Sequence, residues 1–344
     1  MMSDDDASAL AAFLDGHFGN REPTVVEPML GGGSCEIFAV SRGSEDWVLR
    51  RAPRYASSST AHDVLREFRI LDAIKDQRVL IARPMLACAD PTVFGAPFYL
   101  MEHIDGVPVR AGVPPAWVNE PDTHAAALEQ LIDAISDVHA VDWRACGLDE
   151  MARPERYLER QVQRWRTQLG SYGGRQLPIA DTVGEWLDAN RPADKPLTLF
   201  HGDYKLDNVL FAHDAPPRLL AIVDWEMAAI GDPLVDLAWA LIFHPTGTMP
   251  LGVRGESAFA CDRLPSEATL IERYAQRSGR DTSGLPWYDV FARWKLAVVL
   301  EGSYAKFLRG ESSKPVHEFF GRQADLLLTS ASGLIDNPTK RSRS

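Results

Sequence analysis

The chain has 344 residues, 45% of them hydrophobic and 24% charged, and a formal net charge of −12. That length can bury a full core in one large domain or two, no stretch reaches the roughly 20 apolar residues of a membrane span, and the acidic start MMSDDDASAL is wrong for a signal or transit peptide. The acidic balance argues against a nucleic-acid partner, which wants a basic surface, and four scattered cysteines without CxxC spacing point to a reduced, cytoplasmic protein.

Residues 1–8 and the tail TKRSRS are expected to fray. The first hundred residues read as a small β-rich unit. VVEPMLGGGSCEIFAV contains a glycine-rich turn, Gly31, Gly32, Gly33 and Ser34, ahead of the strand-like runs that follow. In DWVLRRAP, strand alternation puts Arg50 on the face of Val48 and Arg51 on the face of Trp47 and Leu49. TAHDVLREFRILDAIKD opens with Thr60 and Asp63 in a capping-box-like start. Its apolar stripe is Val64, Leu65, Phe68, Leu71 and Ile74, and Glu67 falls inside that stripe, whereas Arg66 and Arg69 point elsewhere. A carboxylate on a buried face needs a cationic partner. FYLMEHIDG is a strand running into a connection at Met101–Gly106.

From about Asp122 onward helical spacing dominates, as in Leu128, Leu131, Ile132, Ile135 and Val138. RPERYLERQVQRWRTQL places Arg156, Arg160 and Arg164 on one stripe, with Glu155 and Glu159 at hand to pair with them. The whole is a small sheet lobe followed by a larger helical lobe, and a cleft between such lobes is a natural ligand site.

One strong strand pair is expected in the second lobe. NVLF and LLAIVDW flank the turn AHDAPPR and fold as an antiparallel hairpin, with Val209 opposite Val223 and Leu210 opposite Ile222. Asn208 and Asp224 then meet at its open end, two oxygen-bearing side chains suited to Mg²⁺. Asp203 lies five residues before Asn208 in HGDYKLDN. This is the logic of phosphotransferase sites with an Asp-x-x-x-x-Asn loop. Asp203 orients an acceptor hydroxyl and takes its proton, Asn208 and Asp224 hold magnesium on nucleotide phosphates, and Lys205 neutralises the transferring phosphoryl group. Downstream, GDPLVDLAWAL starts a helix with Asp232 as N-cap and Pro233 in the first turn, and Asp236 is an isolated acid within it.

HGDYKLDNVLF, AIVDWE and GDPLVDLAWAL together resemble the aminoglycoside phosphotransferase and choline-kinase-like family, relatives of protein kinases. The resemblance spans about residues 25–330 and is strongest at 198–240. It implies an α+β, two-lobed, protein-kinase-like fold, with a small antiparallel-sheet N-terminal lobe at 1–104 and a larger, mainly helical lobe at 105–344. The family's loop signature falls on His201, Gly202, Asp203 and Asn208, and its counterpart of the Asp-Phe-Gly aspartate on Asp224. His201 and Asp236 become structural support, Asp236 bracing the loop through backbone hydrogen bonds, and His139 a packed core residue.

Upstream, the resemblance implies Gly31–Ser34 as a phosphate cover, Val48 under the adenine, and Arg50 in place of the usual strand lysine, paired with Glu67. Met101, Glu102 and His103 offer backbone groups to the base. The implied cofactors are ATP, with GTP as the alternative, and Mg²⁺. RPERYLERQVQRWRTQL and WKLAVVLEGSYAKFLRG resemble the branch whose kinase domain is fused to acyl-CoA dehydrogenases in larger proteins.

The expected partner is a small-molecule hydroxyl acceptor, with no nucleic acid, no membrane, and the oligomeric state open. The arginine stripe favours a hydroxy acid or hydroxyacyl thioester; the overall acidity favours a cationic aminoglycoside. A non-catalytic nucleotide-binding protein on the same fold would have lost Asp203, Asn208 or Asp224, and all three are present. A metallohydrolase using His201, Asp203, Asp224 and His244 lacks the H-E-x-x-H spacing.

Overall fold

The computed structural model describes residues 4–29, 35–53, 63–109, 112–153, 155–245, 259, 263–312 and 314–337. The turn Gly31–Ser34, Thr60, Cys261 and the tail TKRSRS lie outside the described residues.

The chain opens with a helix, α1 (Asp4–Phe18), so residues 4–8 do not fray as expected. Leu10 and Leu14, one turn apart, are fully buried, and Phe13 meets Phe98 edge-on at 5.8 Å. Tertiary packing of an apolar face stabilises a helix whose length alone would not. Strands β1 (Thr24–Pro28), β2 (Glu36–Arg42), β3 (Glu45–Arg51), β4 (Pro84–Cys88) and β5 (Phe98–Glu102) form one antiparallel sheet in the order β1-β2-β3-β5-β4. Helix α2 (Val64–Ile74) joins β3 to β4, and the short α3 (Pro91–Phe94) joins β4 to β5.

Alternation gives the sheet two faces. Phe38, Trp47, Leu49, Phe98 and Leu100 pack with α1 on one. Arg51 belongs to that face and is fully buried, bonded to Glu36 and to the Phe94 carbonyl, with its guanidinium 4.3 Å from the Phe94 ring centre. Arg50, one residue earlier, is turned to the opposite face, where it meets α2.

The remainder is mostly helical: α4 (Pro121–His139), α5 (Tyr157–Ser171), α6 (Pro178–Ala189), α7 (Pro233–Ile242), α8 (Glu267–Ser278), α9 (Leu285–Leu308) and α10 (His317–Asp336). Two short ladders lie among them, where one was expected. Strand β6 (Thr198–Phe200) pairs with β9 (Ala229–Gly231), and β7 (Val209–Phe211) with β8 (Leu219–Ile222). The β7–β8 register is one residue off the expected one, Val209 facing Ile222 and Leu210 facing Ala221, because the pairing shifts again at Phe211 on the way to the turn. Asn208 now stands opposite Val223, whose N–H it accepts at 2.9 Å.

Single bridges from Ile81 to Ile222 and from Val107 to Phe211 tie this hairpin to the segments before β4 and after β5. It is thereby seated where the two lobes meet. Among the described residues no helix is long and apolar enough to cross a membrane.

Candidate active site

The loop after β6 is held from below by one acid. Asp236, fully buried on α7, accepts the backbone N–H of His201 and that of Gly202, the latter at 2.7 Å. Asp232 caps this helix by accepting from Leu234 N–H at 2.9 Å, as its Asp-Pro start foretells. Gly202 has φ +89°, and a Cβ there would lie 2.5 Å from the Met227 carbonyl oxygen. Only glycine satisfies both conditions. The His201 ring bridges the loop to the hairpin, its Nε2 lying 3.0 Å from the Val223 carbonyl while Nδ1 accepts from Asp203 N–H at 3.3 Å. These two contacts define the tautomer with hydrogen on Nε2. His139 is a buried core residue, 2.8 Å from Tyr274 Oη and 3.5 Å from Asp236, and burial pushes its pKa down.

The loop presents Asp203 among donors. Lys205 Nζ reaches both of its carboxylate oxygens, at 2.8 and 2.9 Å. Trp239 Nε1 donates to Oδ1 at 2.8 Å, and Asn208 Nδ2 to Oδ2 at 2.9 Å. Burial works to raise the Asp203 pKa, but Lys205 and the surrounding donors outweigh it and hold the carboxyl below the usual range. Asn208 Nδ2 also donates to the Asp203 carbonyl. Its amide hydrogens are spent there, and among the described residues its Oδ1 accepts no hydrogen bond.

Asp224 follows β8 with φ +68°, a left-handed conformation that aspartate tolerates better than most residues. Arg50 Nη2 donates to its Oδ1 at 3.0 Å. Glu67 completes the cluster, with Oε2 3.2 Å from Arg50 Nε and Oε1 accepting Trp225 N–H at 3.0 Å. Burial pushes the Glu67 pKa up to about 7, against the pull of Arg50 and of Trp225 N–H. Beside it, Arg66 donates to the carbonyls of Glu226 and Ala228. Consecutive residues of α2 thus hold the segment 225–228, where Arg66 was expected merely to point away from the stripe.

Val48 is buried and pairs across the sheet with Ala39 and Met101. The N–H groups of Glu102 and His103 donate to the carbonyls of Arg83 and Asp46, at 2.8 and 3.3 Å. These two donors, expected to face a base, are engaged within the sheet because the strand pairing continues past β5.

Residues 25–288 match the phosphotransferase enzyme family, APH. The chain belongs to that family. Rat acyl-CoA dehydrogenase family member 11 (Rattus norvegicus) is 32% identical to this phosphotransferase over 323 residues, which are 90% of this chain and 40% of the relative. Mouse acyl-CoA dehydrogenase family member 10 (Mus musculus) is 28% identical over 320 residues, 91% of this chain and 30% of the relative. The chain therefore spans well under half the length of these relatives.

Among solved structures, a Ralstonia eutropha protein assigned to the aminoglycoside phosphotransferases superimposes with a TM-score of 0.81 at 27% identity, over 95% of this chain and 98% of that one. Choline kinase from Cryptosporidium parvum (TM-score 0.60, 14% identity, 92% and 91% of the chains) shares the fold. So does a spectinomycin phosphotransferase solved with ADP and spectinomycin (TM-score 0.58, 12% identity, 95% and 97% of the chains).

In the APH-family phosphotransferase described here, the arginine stripe of α5 divides. Arg156 pairs with Glu159, as its spacing suggests. Arg160 and Arg164, with Arg153, line a cavity of about 680 Å³ whose floor includes Ala229 and Ile230 of β9, the partner strand of β6. Two groups at the site were not foreseen, Trp239 and Lys295, both buried. Trp239 reads as one more apolar residue of α7. Lys295 does carry a signal: with Arg293 it is one of two charges in VFARWKLAVVL, an otherwise apolar run. Among the described residues no group of three or more His, Cys, Asp or Glu side chains is arranged to hold a metal ion.

Proposed function

We propose that this chain is a magnesium-dependent phosphotransferase moving the γ-phosphoryl group of ATP to a hydroxyl of a small anionic molecule, a hydroxy acid or hydroxyacyl thioester. The observation that carries the reading is the junction at Arg50. A cation on β3, an acid on α2 and the carboxylate after β8 arrive from three distant parts of the chain and meet within 3.2 Å. That cation–acid–aspartate grouping is what a kinase needs around nucleotide phosphates.

Asn208 Oδ1 and the Asp224 carboxylate are hard oxygen donors that would suit Mg²⁺ and would hold it beside the nucleotide phosphates. The bound ion supplies charge neutralisation on those phosphates. With its depressed pKa, Asp203 is a weak base. It serves by orienting the acceptor hydroxyl and taking the proton late, as a loose phosphoryl-transfer transition state allows. Lys205, held on Asp203, stands beside the transferring group as a cation. Gly31–Ser34 remain the proposed phosphate cover, Val48 and the carbonyls of Met101–His103 the adenine side, and residues 1–104 and 105–344 the nucleotide and acceptor lobes of a cytoplasmic enzyme.

On the acceptor side, three arginines around one cavity beside β9 favour an anion. The acyl-CoA dehydrogenase names of the relatives fit an acyl thioester. The net charge of −12 and the antibiotic kinases among the structural neighbours support a cationic acceptor instead, and the arginine-lined cavity weighs against it.

Hydroxyacyl and aminoglycoside pools incubated with the protein, ATP and Mg²⁺ should yield a phosphorylated hydroxyacyl product by mass spectrometry. Asp203→Ala should keep nucleotide binding and lose about 10²- to 10⁴-fold in turnover. Phosphate found only on aminoglycosides would refute the anionic acceptor, and full turnover by Asp203→Ala would refute the role of Asp203.

A further inference from the structure

The buried ammonium of Lys295 has no part in the reaction as proposed above. It lies on α9, is 7% exposed, and donates to the Gly202 carbonyl at 3.2 Å. Its Nζ stands 4.1 Å from the ring centre of Trp239 and 5.7 Å from that of Trp165. Among the described residues no carboxylate forms an ion pair with it. The charges that act on it from a distance are Asp203 and Lys205 on the loop, Asp236 on α7 and Arg164 on α5. A lone ammonium held by one carbonyl and two indole faces is a costly choice for a core position that a methionine would fill.

Both of its close contacts lead to Asp203. Gly202 is the residue before it in the loop. Trp239 donates its indole N–H to Asp203 Oδ1 at 2.8 Å. We propose that Lys295 is a positioning residue: its charge fixes the Gly202 carbonyl and the Trp239 indole, and so keeps Asp203 aimed at the acceptor hydroxyl. This rests on the phosphotransfer reading. The residue is retained for function although it weakens the fold, a familiar trade-off at active sites.

Burial pushes the Lys295 pKa down to about 8, and Asp203 and Asp236 resist that shift. In the unfolded chain a lysine titrates near its ordinary value of about 10.4. Between those two values the unfolded state holds more protons, so this residue makes stability rise with pH. Below pH 8 the charged form strains the fold. Above it the charge, and with it the proposed positioning, is lost.

The test is Lys295→Met against wild type, with urea unfolding at pH 7 and pH 10 and ADP release from ATP and Mg²⁺ across pH 6.5–9.5. The acceptors are the hydroxyacyl pool and, for slow hydrolysis, water. At pH 7 Lys295→Met should unfold at higher urea than wild type, the gap narrowing by pH 10, yet turn over at least tenfold more slowly. Wild-type turnover should fall above about pH 8, while the variant should show no such decline. A variant less stable at both pH values, or one with wild-type turnover, would overturn the proposal. Should Lys295→Met fail to fold, the wild-type profile decides alone, since a flat rate from pH 7 to 9.5 removes the proposed ionisation. Wild type inert toward every acceptor would instead sink the phosphotransfer reading, and the urea comparison would still report on the buried charge.

Discussion

Two backbone donors depend on the carboxylate of Asp236, the N–H groups of His201 and Gly202. Stranding a buried donor costs about 1–3 kcal/mol. Asp236→Ala should therefore lower the unfolding free energy by about 2–5 kcal/mol in urea titration, and Asp236→Asn, which keeps one acceptor oxygen, should recover part of that. Gly202 allows no such graded repair. Any side chain there must adopt φ +89° and meet the Met227 carbonyl at 2.5 Å. Gly202→Ala should destabilise by about 1–3 kcal/mol or more through strain, and it should lower turnover beyond what the unfolded fraction explains, because Asp203 moves with the loop. Activity normalised to the folded fraction by circular dichroism checks this.

At the scale of elements, α2 is the part that makes the nucleotide side. Asp63 caps it by accepting Arg66 N–H at 2.9 Å, and the first turn carries Arg66 and Glu67 to the segment 225–228. Glu67→Ala strands the Trp225 N–H and should lower stability by about 1–3 kcal/mol, and in the folded fraction reduce kcat/KM for ATP by about 10- to 100-fold, a loss on the scale of one charge-assisted contact. Glu67→Gln can still accept Trp225 N–H and lacks only the charge on Arg50. Comparing the two in steady-state kinetics separates loop anchoring from pairing.

This helix also shows what could be read from the chain alone. Glu67 was legible because a polar residue interrupting a 3.6-residue apolar stripe must be buried with a partner; Asn208 and Asp224 were read from their places at the two ends of a hairpin, and Asp203 from its spacing of five residues to Asn208. The β6–β9 ladder was not, since three-residue strands separated by a whole hairpin leave no local periodicity. Arg66 escaped for a related reason: its acceptors are main-chain carbonyls, which no sequence pattern distinguishes. Lys295 and Trp239 lie far along the chain from the loop they touch. Both sit in largely buried, predominantly apolar helices, so periodicity assigns both to the core and stops there. The one-residue error in the β7–β8 register came from treating the pairing as regular through Phe211, where it slips.

For the molecule as a whole, ligand binding between lobes should appear as stability. A ligand at 100 times its dissociation constant adds about 2.7 kcal/mol to the folded state. ATP and Mg²⁺ added together should raise the melting temperature by more than the sum of their separate effects, and Asp224→Asn should abolish the excess. Additive shifts in wild type would count against a shared site at Asn208 and Asp224. The reason to expect synergy lies in the contact between Arg50 and Asp224, 3.0 Å long. A carboxylate already clasped by a guanidinium makes a poor trap for a bare dication. Triphosphate oxygens arriving with the ion offer that guanidinium a new anion at the moment its old one is claimed. Metal and nucleotide would then enter as one species, and free magnesium in the surrounding water would find little to hold it here.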